Sequence, residues 1–251
     1  MVSDSPVVLI TGANQGIGFS ISELLSQSKM SYTILVGARN ASKGIDAVSQ
    51  LNTIKINPNA KIVPFLVDLN SHESIVSAVD KVSTDYGRLD ILINNAAIGS
   101  ANGGQQTSDR TEWQKVFETN VFGTVDLTHA FLPLLQKSPD PKIVVVTSTF
   151  GTIAATEAAD PLFVEASPYK ASKAAINMVL VEWNKLLKGI KVWGVCPGLC
   201  ATDLAGEFTR KNGQDPRKGA VVVQQCIEGE RENLRGKMVF EQDGEWGTRP
   251  W

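Results

Sequence analysis

Short apolar runs alternate with segments of helical spacing along the whole chain. A strand covered on both faces of a sheet reads as a near-continuous run of Val, Ile and Leu. Such runs lie at 7–10, 33–37, 61–67, 89–93, 142–147, 191–195 and 237–240, and helical segments lie between them at 16–29, 41–51, 72–86, 109–136, 167–187 and 217–228. Strands joined by helices in this way are parallel, with right-handed crossovers. The pattern predicts a three-layer α/β fold of Rossmann type, in which a single doubly wound parallel sheet of about seven strands carries helices on both faces.

The composition excludes several other classes of protein. With 43% apolar and 20% charged residues and no linker between folding units, residues 1–251 are expected to form one globular domain. A net charge of −2 provides no electrostatic footprint for nucleic acid or for an anionic membrane. No window approaches 18 apolar residues, and no basic segment precedes the first apolar run. The odd set of cysteines, Cys196, Cys200 and Cys226, is expected to be reduced, as in a cytoplasmic protein.

A glycine-rich turn follows the first apolar run directly and leads into a helical segment. It reads Thr11-Gly12-Ala13-Asn14-Gln15-Gly16-Ile17-Gly18. Gly12 permits a tight turn, and Gly16 and Gly18 let a pyrophosphate approach backbone N–H groups at the positive end of the helix. The spacing, G-x-x-x-G-x-G, differs from the G-x-G-x-x-G of the common dinucleotide fingerprint. We interpret the turn as a nucleotide site formed by Gly12, Asn14, Gln15, Gly16, Ile17 and Gly18; the alternative is that its glycines are merely structural.

The end of the second apolar run bears on which dinucleotide is bound. In NAD-binding folds an acidic residue about 20 residues after the glycines accepts the ribose hydroxyls, whereas an Arg there accommodates the 2′-phosphate of NADP. Here the run is Leu35-Val36-Gly37-Ala38-Arg39-Asn40, with no acid and one Arg. Because a planar guanidinium suits phosphate, the sequence favours NADPH or NADP over NAD(H). The alternative is that Arg39 is a solvated side chain at a strand end.

Further motifs follow in an order that is typical of one family. Besides the glycine-rich turn, the chain carries Asp68-Leu69, Asn94-Asn95-Ala96-Ala97, Asn120, Ser148, Tyr169-x-x-x-Lys173, and Pro197-Gly198 followed by Thr202. Together these motifs resemble the short-chain dehydrogenase/reductase family. The ending, Gly236-Lys237-Met238-Val239-Phe240 with Pro250-Trp251, is similar to the carbonyl-reductase-like branch of that family.

The resemblance implies a set of catalytic residues. Reduction of a carbonyl builds charge on its oxygen, and a proton donor must meet that oxygen as the hydride arrives. A phenol one helical turn from an ammonium suits this task, because the ammonium favours the phenolate and lowers the pKa from about 10. By resemblance, Tyr169 is the proton donor and Lys173 both lowers its pKa and holds the nicotinamide ribose. Ser148 orients the substrate carbonyl, and Asn120 anchors a water of the proton relay.

The resemblance also implies contacts with the cofactor. Asp68 and Leu69 would flank the adenine, while Asn95 and Ala96, followed by Ala97, would lie at the adenosine ribose. Pro197 and Gly198 would meet the nicotinamide face, and Thr202 would meet its carboxamide. No metal is expected, since His72 and His129 have no partners at metal-ligand spacing.

Several of these residues have a structural alternative. Ser148 could simply cap or turn the chain at the end of a strand. Asn120 could be a satisfied buried amide in a helix. Asp68 could cap the helix that starts near 72, and Asn94 and Asn95 could form a turn.

The predicted activity is the NADPH-dependent reduction of a ketone or aldehyde to an alcohol, or the reverse oxidation, with Tyr169 as general acid or base. Two alternatives stay open. One is a non-redox enzyme on the same scaffold that carries out a dehydration, an epimerisation or a cyclisation. The other is a non-catalytic dinucleotide-binding regulator, although such proteins usually lose the Tyr or the Lys.

The substrate is expected to be a small, apolar carbonyl compound or alcohol. Polar loops at 99–107 and 206–215 follow strands four and six, where ligands of doubly wound sheets bind, and a lid is expected near 199–215. Apolar side chains for the pocket are Phe150, Leu162 and Phe163. Two features depart from the family. Gln15 stands where related enzymes often carry Lys, and the segment 156–167 lengthens the interval between Ser148 and Tyr169, so a homo-oligomer is left open.

Overall fold

Seven apolar runs pair side by side as parallel strands, as their pattern predicts. The computed structural model describes residues 5–99, 109–158, 166–242 and 244–251. Within them the strands are β1 (Val7–Ile10), β2 (Thr33–Ala38), β3 (Lys61–Leu66), β4 (Ile91–Asn94), β5 (Lys142–Val146), β6 (Lys191–Cys196), β7 (Met238–Gln242) and β8 (Glu245–Arg249). Their order in the sheet is β3-β2-β1-β4-β5-β6-β7-β8. Because the chain runs outward in both directions from β1 and β4, the sheet is doubly wound, which confirms the predicted fold class.

Helices cover both faces of the sheet. They are α1 (Gly16–Gln27), α2 (Ala41–Ile54), α3 (His72–Tyr86), α4 (Arg110–Phe117), α5 (Thr124–Leu135), α6 (Ile153–Ala158), α7 (Ser167–Leu186), α8 (Glu207–Asn212) and α9 (Pro216–Ile227). A π-helical turn, Glu118–Gly123, joins α4 to α5, so the predicted helix 109–136 consists of three pieces. Helices α6 and α8 have no counterpart in the prediction, because six residues are too few to show an apolar stripe. No described helix combines the length and the apolar character needed to cross a bilayer.

Side chains at the helix starts satisfy backbone N–H groups that lack a partner within the helix. Asn40 accepts from the N–H of Lys43 at 3.0 Å and caps α2. Ser71 accepts from the N–H of Ser74 at 3.2 Å and caps α3. The alternative in which Asp68 caps α3 is therefore wrong, and its carboxylate instead accepts from the N–H of Asn70 at 3.0 Å.

The sheet divides the core into two layers, because alternate strand residues point to opposite faces. In β1, Val8 and Ile10 pack with α1, α2 and α9. Val7 and Leu9 pack with α3, α5 and α7 on the other face. All four side chains are at most 2% exposed. Both faces are thus closed by helices, and the loops at the carboxyl ends of the strands are left to form a site.

The eighth strand is antiparallel and covers the edge of β7. Met238 lies opposite Arg249, and Phe240 lies opposite Gly247. The sequence pattern does not predict β8, because its five residues include a charge at each end and a glycine in the middle. Gly247 is required here by a close approach, since a Cβ at this position would lie 2.7 Å from the Phe240 ring.

The π-helical turn packs directly on the loop that follows β3. A Cβ at Gly123 would lie 2.3 Å from the carbonyl oxygen of Leu69 and 2.7 Å from its Cβ. The backbone of the turn therefore touches the backbone of the loop, and only a glycine permits this contact. The contact ties the segment that carries Asn120 to the loop that carries Asp68 and Leu69.

Replacing Gly123 by Ala is expected to lower the free energy of unfolding by about 1–3 kcal/mol, because the added methyl group overpacks this contact. Gly44→Ala in α2 is the matched control, since its Cβ would lie at an ordinary 3.4 Å from the nearest atom. The control is expected to be neutral or to stabilise the protein by up to about 1 kcal/mol through helix propensity. Chemical denaturation followed by circular dichroism measures both, and equal stabilities for the two variants would contradict the close packing at Gly123.

Candidate functional site

The glycine-rich turn lies between β1 and α1 at the carboxyl edge of the sheet. Gly12 and Gly16 have φ angles of +63° and +58°, a backbone region that strains most other residues. The turn is anchored by Thr11, whose hydroxyl accepts the N–H groups of Asn95 and Ala96 at 3.0 Å each. The amide of Asn95 in turn donates to the carbonyl of Thr11 at 2.8 Å. These bonds bring together the predicted contacts after β1 and after β4.

The loop after β6 also reaches the glycine-rich turn. A Cβ at Gly16 would lie 3.1 Å from the Cγ2 methyl group of Thr202. The carbonyl of Thr202 accepts the hydroxyl hydrogen of Thr209 in α8 at 2.6 Å. Gly198, with a φ angle of +74°, turns the chain out of β6 just before this loop. Pro197, Gly198 and Thr202 therefore lie on one loop whose far end faces the turn.

The N-terminus of α1 lacks the side-chain cap that several other helices have. No described side chain caps α1, and its first turn carries no acidic residue. By contrast, side chains cap α2, α3, α4 and α9. The first helical hydrogen bond is donated by Phe19 to the carbonyl of Gln15, so the N–H groups of Gly16, Ile17 and Gly18 precede the helical ladder. This donor set at a helix N-terminus fits the phosphates of a dinucleotide.

The predicted adenine side of the site lies at the ends of β2 and β3. Arg39 follows β2, is exposed, and makes no hydrogen bond or ion pair that can be seen among the described residues. Asp68 and Leu69 follow β3, and the N–H of Asp68 donates to the hydroxyl of Ser74 at 2.9 Å. The alternative turn at Asn94 and Asn95 is wrong, because Asn94 is the buried last residue of β4.

Asn120 lies in the π-helical turn with its amide fully paired. Its Oδ1 accepts from the N–H of Ile98 at 2.9 Å, and its Nδ2 donates to the carbonyl of Ile98 and to the hydroxyl of Ser172, each at 3.0 Å. Ser172 itself donates to the carbonyl of Tyr169 at 2.7 Å. The amide is thus satisfied, as in the structural alternative. It also connects the loop after β4 to the helix that carries Tyr169.

Ser148 follows β5 and caps the turn that comes next, as in its structural alternative. Its hydroxyl accepts from the N–H of Phe150 at 3.2 Å and so caps a 3₁₀ turn, Thr149–Gly151. The same hydroxyl is near enough to the phenol of Tyr169 to act on it by lowering its pKa. Two hydroxyl groups from different elements therefore lie near one another.

A buried amide that the sequence analysis missed holds the Ser148 turn against α7. Asn177 accepts from the hydroxyl of Thr147 at 2.5 Å and donates to the carbonyl of Gly151 at 3.2 Å. Asn177 is four residues after Lys173, on the same face of the helix as Tyr169 and Lys173. That spacing is the signal that could have identified it, since a buried amide on an apolar helix face needs partners.

Burial dominates the ionisation of Tyr169 and Lys173. It raises the pKa of the phenol of Tyr169, and the neighbouring Ser148 hydroxyl lowers this pKa by a smaller amount. Burial also lowers the pKa of Lys173 from its ordinary 10.5 to about 8. Lys173 is not among the causes of the Tyr169 shift, although its amine lies 5.7 Å from the centre of the ring and donates to the carbonyl of Val146 at 2.9 Å. Because the pKa of Lys173 is lowered to about 8 and that of Tyr169 is raised, the amine is already neutral at the pH where the phenol ionises.

Cys196 forms the floor between β6 and the Ser148 turn. Its sulfur lies 3.1 Å from the hydroxyl of Thr149 and accepts from the N–H of Thr149 at 3.3 Å. Negative charge on this sulfur would raise the pKa of both Tyr169 and Lys173, which places it within electrostatic range of them. Cys196, Cys200 and Cys226 are buried free thiols within the described part of the chain.

Several expected residues lie apart from this site or outside the described residues. His72 pairs with Asp126 at 2.8 Å, and His129 packs against Trp183. In residues 5–99, 109–158, 166–242 and 244–251 no cluster of His, Cys, Asp and Glu could hold a metal ion. Leu162, Phe163 and the loop residues 100–107 lie outside the described ranges. Phe150 is 41% exposed at the rim.

Lys173→Met is expected to stabilise the protein at pH 7. Because the pKa of this amine is lowered in the folded protein, the unfolded chain binds more protons between pH 8 and 10.5, and stability from this group rises with pH over that window. The substitution therefore raises the free energy of unfolding most below pH 8, by at most about 3 kcal/mol. This increase disappears as the pH approaches 10.5. Denaturation curves from pH 7 to 10.5 measure it. Lys185→Met, on the exposed side of α7, is the control; a pH-independent gain in Lys173→Met would contradict the assignment.

Relatives of known family match nearly the whole chain. Short-chain dehydrogenase anuI of Penicillium roqueforti is 39% identical over 246 residues, which cover 95% of this chain and 95% of that one. Short-chain dehydrogenase/reductase tropE of Talaromyces stipitatus is 33% identical over 264 residues, with 98% of each chain covered. Carbonyl reductase (NADPH) 1 of Rattus norvegicus is 27% identical over 241 residues, which cover 91% of this chain and 83% of that one.

Solved structures share the fold at lower identity. An alcohol dehydrogenase from Thermococcus sibiricus, complexed with 5-hydroxy-NADP, is similar with a TM-score of 0.79 at 20% identity, covering 99% of this chain and 100% of that chain. A 3-oxoacyl-(acyl-carrier protein) reductase from Brucella melitensis, in complex with NAD, has a TM-score of 0.79 at 21% identity, covering 95% and 96%. The family model for short chain dehydrogenases matches residues 6–213. The protein therefore belongs to the short-chain dehydrogenase family of nicotinamide-dependent oxidoreductases.

Proposed function

We propose that this short-chain dehydrogenase reduces a ketone or an aldehyde to an alcohol with NADPH, or catalyses the reverse oxidation. The observation that carries the proposal is that the hydroxyl of Ser148 acts on the phenol of Tyr169, whose ring centre lies 5.7 Å from the buried amine of Lys173. Two neighbouring hydroxyl groups can both reach one carbonyl oxygen, and an amine beside them favours negative charge there. The pair lies at the carboxyl edge of the sheet, next to the loop that carries Pro197 and Gly198.

Tyr169 supplies the proton in this proposal. Burial raises its pKa, so the phenol stays protonated at neutral pH and is a donor rather than a base in the reducing direction. The hydroxyl of Ser148 orients the carbonyl oxygen toward the phenol. Lys173 is largely protonated below its pKa of about 8 and stabilises the phenolate that is left after proton transfer. A bound nicotinamide would supply the hydride to the carbonyl carbon.

Asn120 acts on the same site through its partners. Its amide holds the carbonyl and the N–H of Ile98, and it bonds the hydroxyl of Ser172 one residue before Lys173. Within this proposal the π-helical turn keeps that amide beside α7. Because these bonds use both amide hydrogens, Asn120 would anchor the water of the proton relay as an acceptor, through one of its oxygens.

The dinucleotide would be held by the loops that meet at the carboxyl edge. The open N-terminus of α1 fits its phosphates, and this donor set is the observation that supports the fit. The residues proposed to contact the cofactor are Gly12, Asn14, Gln15, Gly16, Ile17, Gly18, Arg39, Asp68, Leu69, Asn95, Ala96, Ala97, Tyr169, Lys173, Pro197, Gly198 and Thr202.

Arg39 carries the proposed preference for NADPH. It is exposed at the end of β2, immediately before Asn40 caps α2, and no described acidic side chain pairs with it. A guanidinium at this position attracts a 2′-phosphate and offers planar donors to it. Gln15 provides no charge of its own, so Arg39 is the main source of the preference.

The segment 199–215 is proposed as the lid of a pocket for a small carbonyl substrate with an apolar body. Its Leu204 carbonyl comes so close to Gly99 that a Cβ there would lie 2.2 Å from the oxygen. The loops after β4 and β6 thus meet above the site. Leu199 and Phe208, which are 42% and 51% exposed, supply apolar surface on the lid.

Tyr169→Phe is expected to lower kcat/KM by about 100-fold or more, because a positioned general acid contributes at least about that factor. NADPH binding is expected to stay nearly unchanged. The loss of NADPH absorbance across a panel of aldehydes and ketones measures turnover, and fluorescence titration measures binding. Tyr86→Phe, at the end of α3, is the control.

Residual activity near that of the wild type would remove Tyr169 from the proton step. If product forms without net consumption of NADPH, the non-redox alternative is supported. If NADPH binds but no substrate is turned over, the alternative of a dinucleotide-binding regulator is supported.

Arg39→Ala is expected to weaken NADPH binding by about 10- to 100-fold and NADH binding by less than about threefold, because only NADPH loses a charge-assisted hydrogen bond. Titration of each dinucleotide against the variant and the wild type measures the two ratios. Arg235→Ala, the control, removes an equal charge from the opposite end of the sheet. It is expected to leave the binding of both NADPH and NADH unchanged. Equal losses for NADPH and NADH would refute the phosphate contact.

A further inference from the structure

The π-helical turn Glu118–Gly123 is attached to the loop after β3 by a side chain as well as by its backbone. Near the start of the turn, the hydroxyl of Thr119 donates to Oδ1 of Asn70 at 2.9 Å. At the end of the turn, Gly123 packs against the backbone of Leu69. Thr119 is only 8% exposed, so water competes little for its hydrogen bond. The turn is therefore held to this loop at both of its ends.

Residues 68–70 of the loop form one hydrogen-bonded unit. The N–H of Asp68 donates to the hydroxyl of Ser74 in α3 at 2.9 Å, and the N–H of Asn70 donates to the carboxylate of Asp68 at 3.0 Å. The backbone of Asn70 is thus tied to Asp68, whereas its side chain is tied to Thr119. A shift of Asp68 would therefore move the acceptor that Thr119 uses.

The residue that follows Thr119 in the turn is Asn120, and its side chain bonds to different elements. The amide of Asn120 pairs with both backbone groups of Ile98 and donates to the hydroxyl of Ser172 at 3.0 Å. Ser172 in turn donates to the carbonyl of Tyr169 at 2.7 Å. Successive side chains point in different directions around a helix axis. Two adjacent residues of the turn thus join the loop after β3 to α7.

The π-helical form makes the position of the turn depend on these contacts. A regular α-helix keeps its shape through its own i→i+4 hydrogen bonds, whereas a π-helical turn interrupts that ladder and is frequently found at functional sites. The turn separates α4 from α5, so it is not part of one continuous α-helix. Its shape is therefore set largely by the elements that it touches.

We propose that Thr119 is a positioning residue that couples the adenine loop to the proton-relay side of the site. When a nucleotide holds Asp68 and Leu69 in place, Asn70 and Thr119 fix the π-helical turn. Asn120 then keeps its contacts with the loop after β4 and with α7. The inference rests on the proposed function, to which the adenine contact and the relay belong. It adds a route by which the adenosine end of the cofactor prepares the reacting end of the site.

Hydrogen exchange followed by mass spectrometry measures this coupling without turnover. The probe is adenosine 2′,5′-bisphosphate, which is the adenosine end of NADPH. In the wild type it is expected to slow exchange in peptides from the glycine-rich turn, 12–18, and from the π-helical turn, 118–124. The slowing at 118–124 is expected to be about 2- to 10-fold, the range that one neutral hydrogen bond provides. No residue of 118–124 is a proposed cofactor contact, so slowing there reports on the coupling.

Two variants remove the hydrogen bond from opposite sides. Asn70→Ala deletes the acceptor on an exposed side chain, and Thr119→Val deletes the donor at nearly constant volume. Both are expected to keep the slowing at 12–18 and to lose it at 118–124. Thr119→Ser retains the hydroxyl and is expected to keep both. Asn52→Ala, which removes an exposed amide from α2, is the matched control for Asn70→Ala. Because Asn70 is exposed, its variant decides the test even if Thr119→Val does not fold.

Turnover gives a second measure of the same role. At saturating NADPH, Asn70→Ala and Thr119→Val are expected to lower kcat by about 2- to 10-fold and to leave the KM for the carbonyl substrate nearly unchanged. The solvent deuterium isotope effect on kcat is expected to rise, because proton transfer becomes slower when Asn120 is displaced. A lower free energy of unfolding with unchanged kcat and isotope effect would make Thr119 a purely structural residue and would overturn the proposal.

The outcomes separate this inference from the proposed function. If no carbonyl compound consumes NADPH but the Asn70-dependent slowing at 118–124 is found, the reductase function fails and the coupling stands. If carbonyl compounds are reduced but the probe leaves exchange at 118–124 unchanged in the wild type, the reductase function stands and the coupling is overturned. Slowing at 118–124 that persists in Asn70→Ala also overturns it.

Discussion

The contact between α7 and the turn after β5 determines the geometry of the candidate site. Tyr169 and Lys173 are on the helix, whereas Ser148 is on the turn, so their relative positions depend on how these two elements dock. A Cβ at Gly151 would lie 2.6 Å from the carbonyl carbon of Lys173, which means that backbone rests on backbone. Asn177 adds hydrogen bonds to both sides of the turn. Such contacts leave little freedom for the distance between the two hydroxyl groups.

The same docking imposes an electrostatic cost that is consistent with function. Lys173 is 5% exposed and Tyr169 is 8% exposed, and burial disfavours the charged form of each. A helix designed only for stability would carry an apolar residue in place of a buried amine. The amine is retained with one carbonyl partner, Val146, and its pKa is lowered into the range where proton transfer is useful. Shifted pKa values of buried groups cluster at functional sites, which is in keeping with the proposed roles of Tyr169 and Lys173.

The parts of the fold that follow local periodicity could be predicted from sequence, and the parts that depend on distant contacts could not. The bounds of β1 and α3 agree with the apolar pattern, because both are regular along their full length. β8 forms only because β7 offers an edge, and nothing in its own five residues demands a strand. In the site, Tyr169 and Lys173 were visible as a helical spacing. Asn177 continues that spacing, but its partners Thr147 and Gly151, which lie 30 and 26 residues away, could not be predicted from it.

The arrangement separates the closely packed part of the candidate site from the edge of the sheet. The glycine-rich turn, the Ser148 turn and α7 are held by hydrogen bonds and close backbone contacts, so changes there disturb the chemistry itself. The hairpin of β7 and β8 lies at the edge of the sheet, where a strand can be added without altering the strands already paired. Phe240 and Arg249 depend on this hairpin and on Gly247 rather than on the catalytic elements. A change in β8 can therefore alter this edge of the sheet while the Ser148 turn and α7 keep their positions.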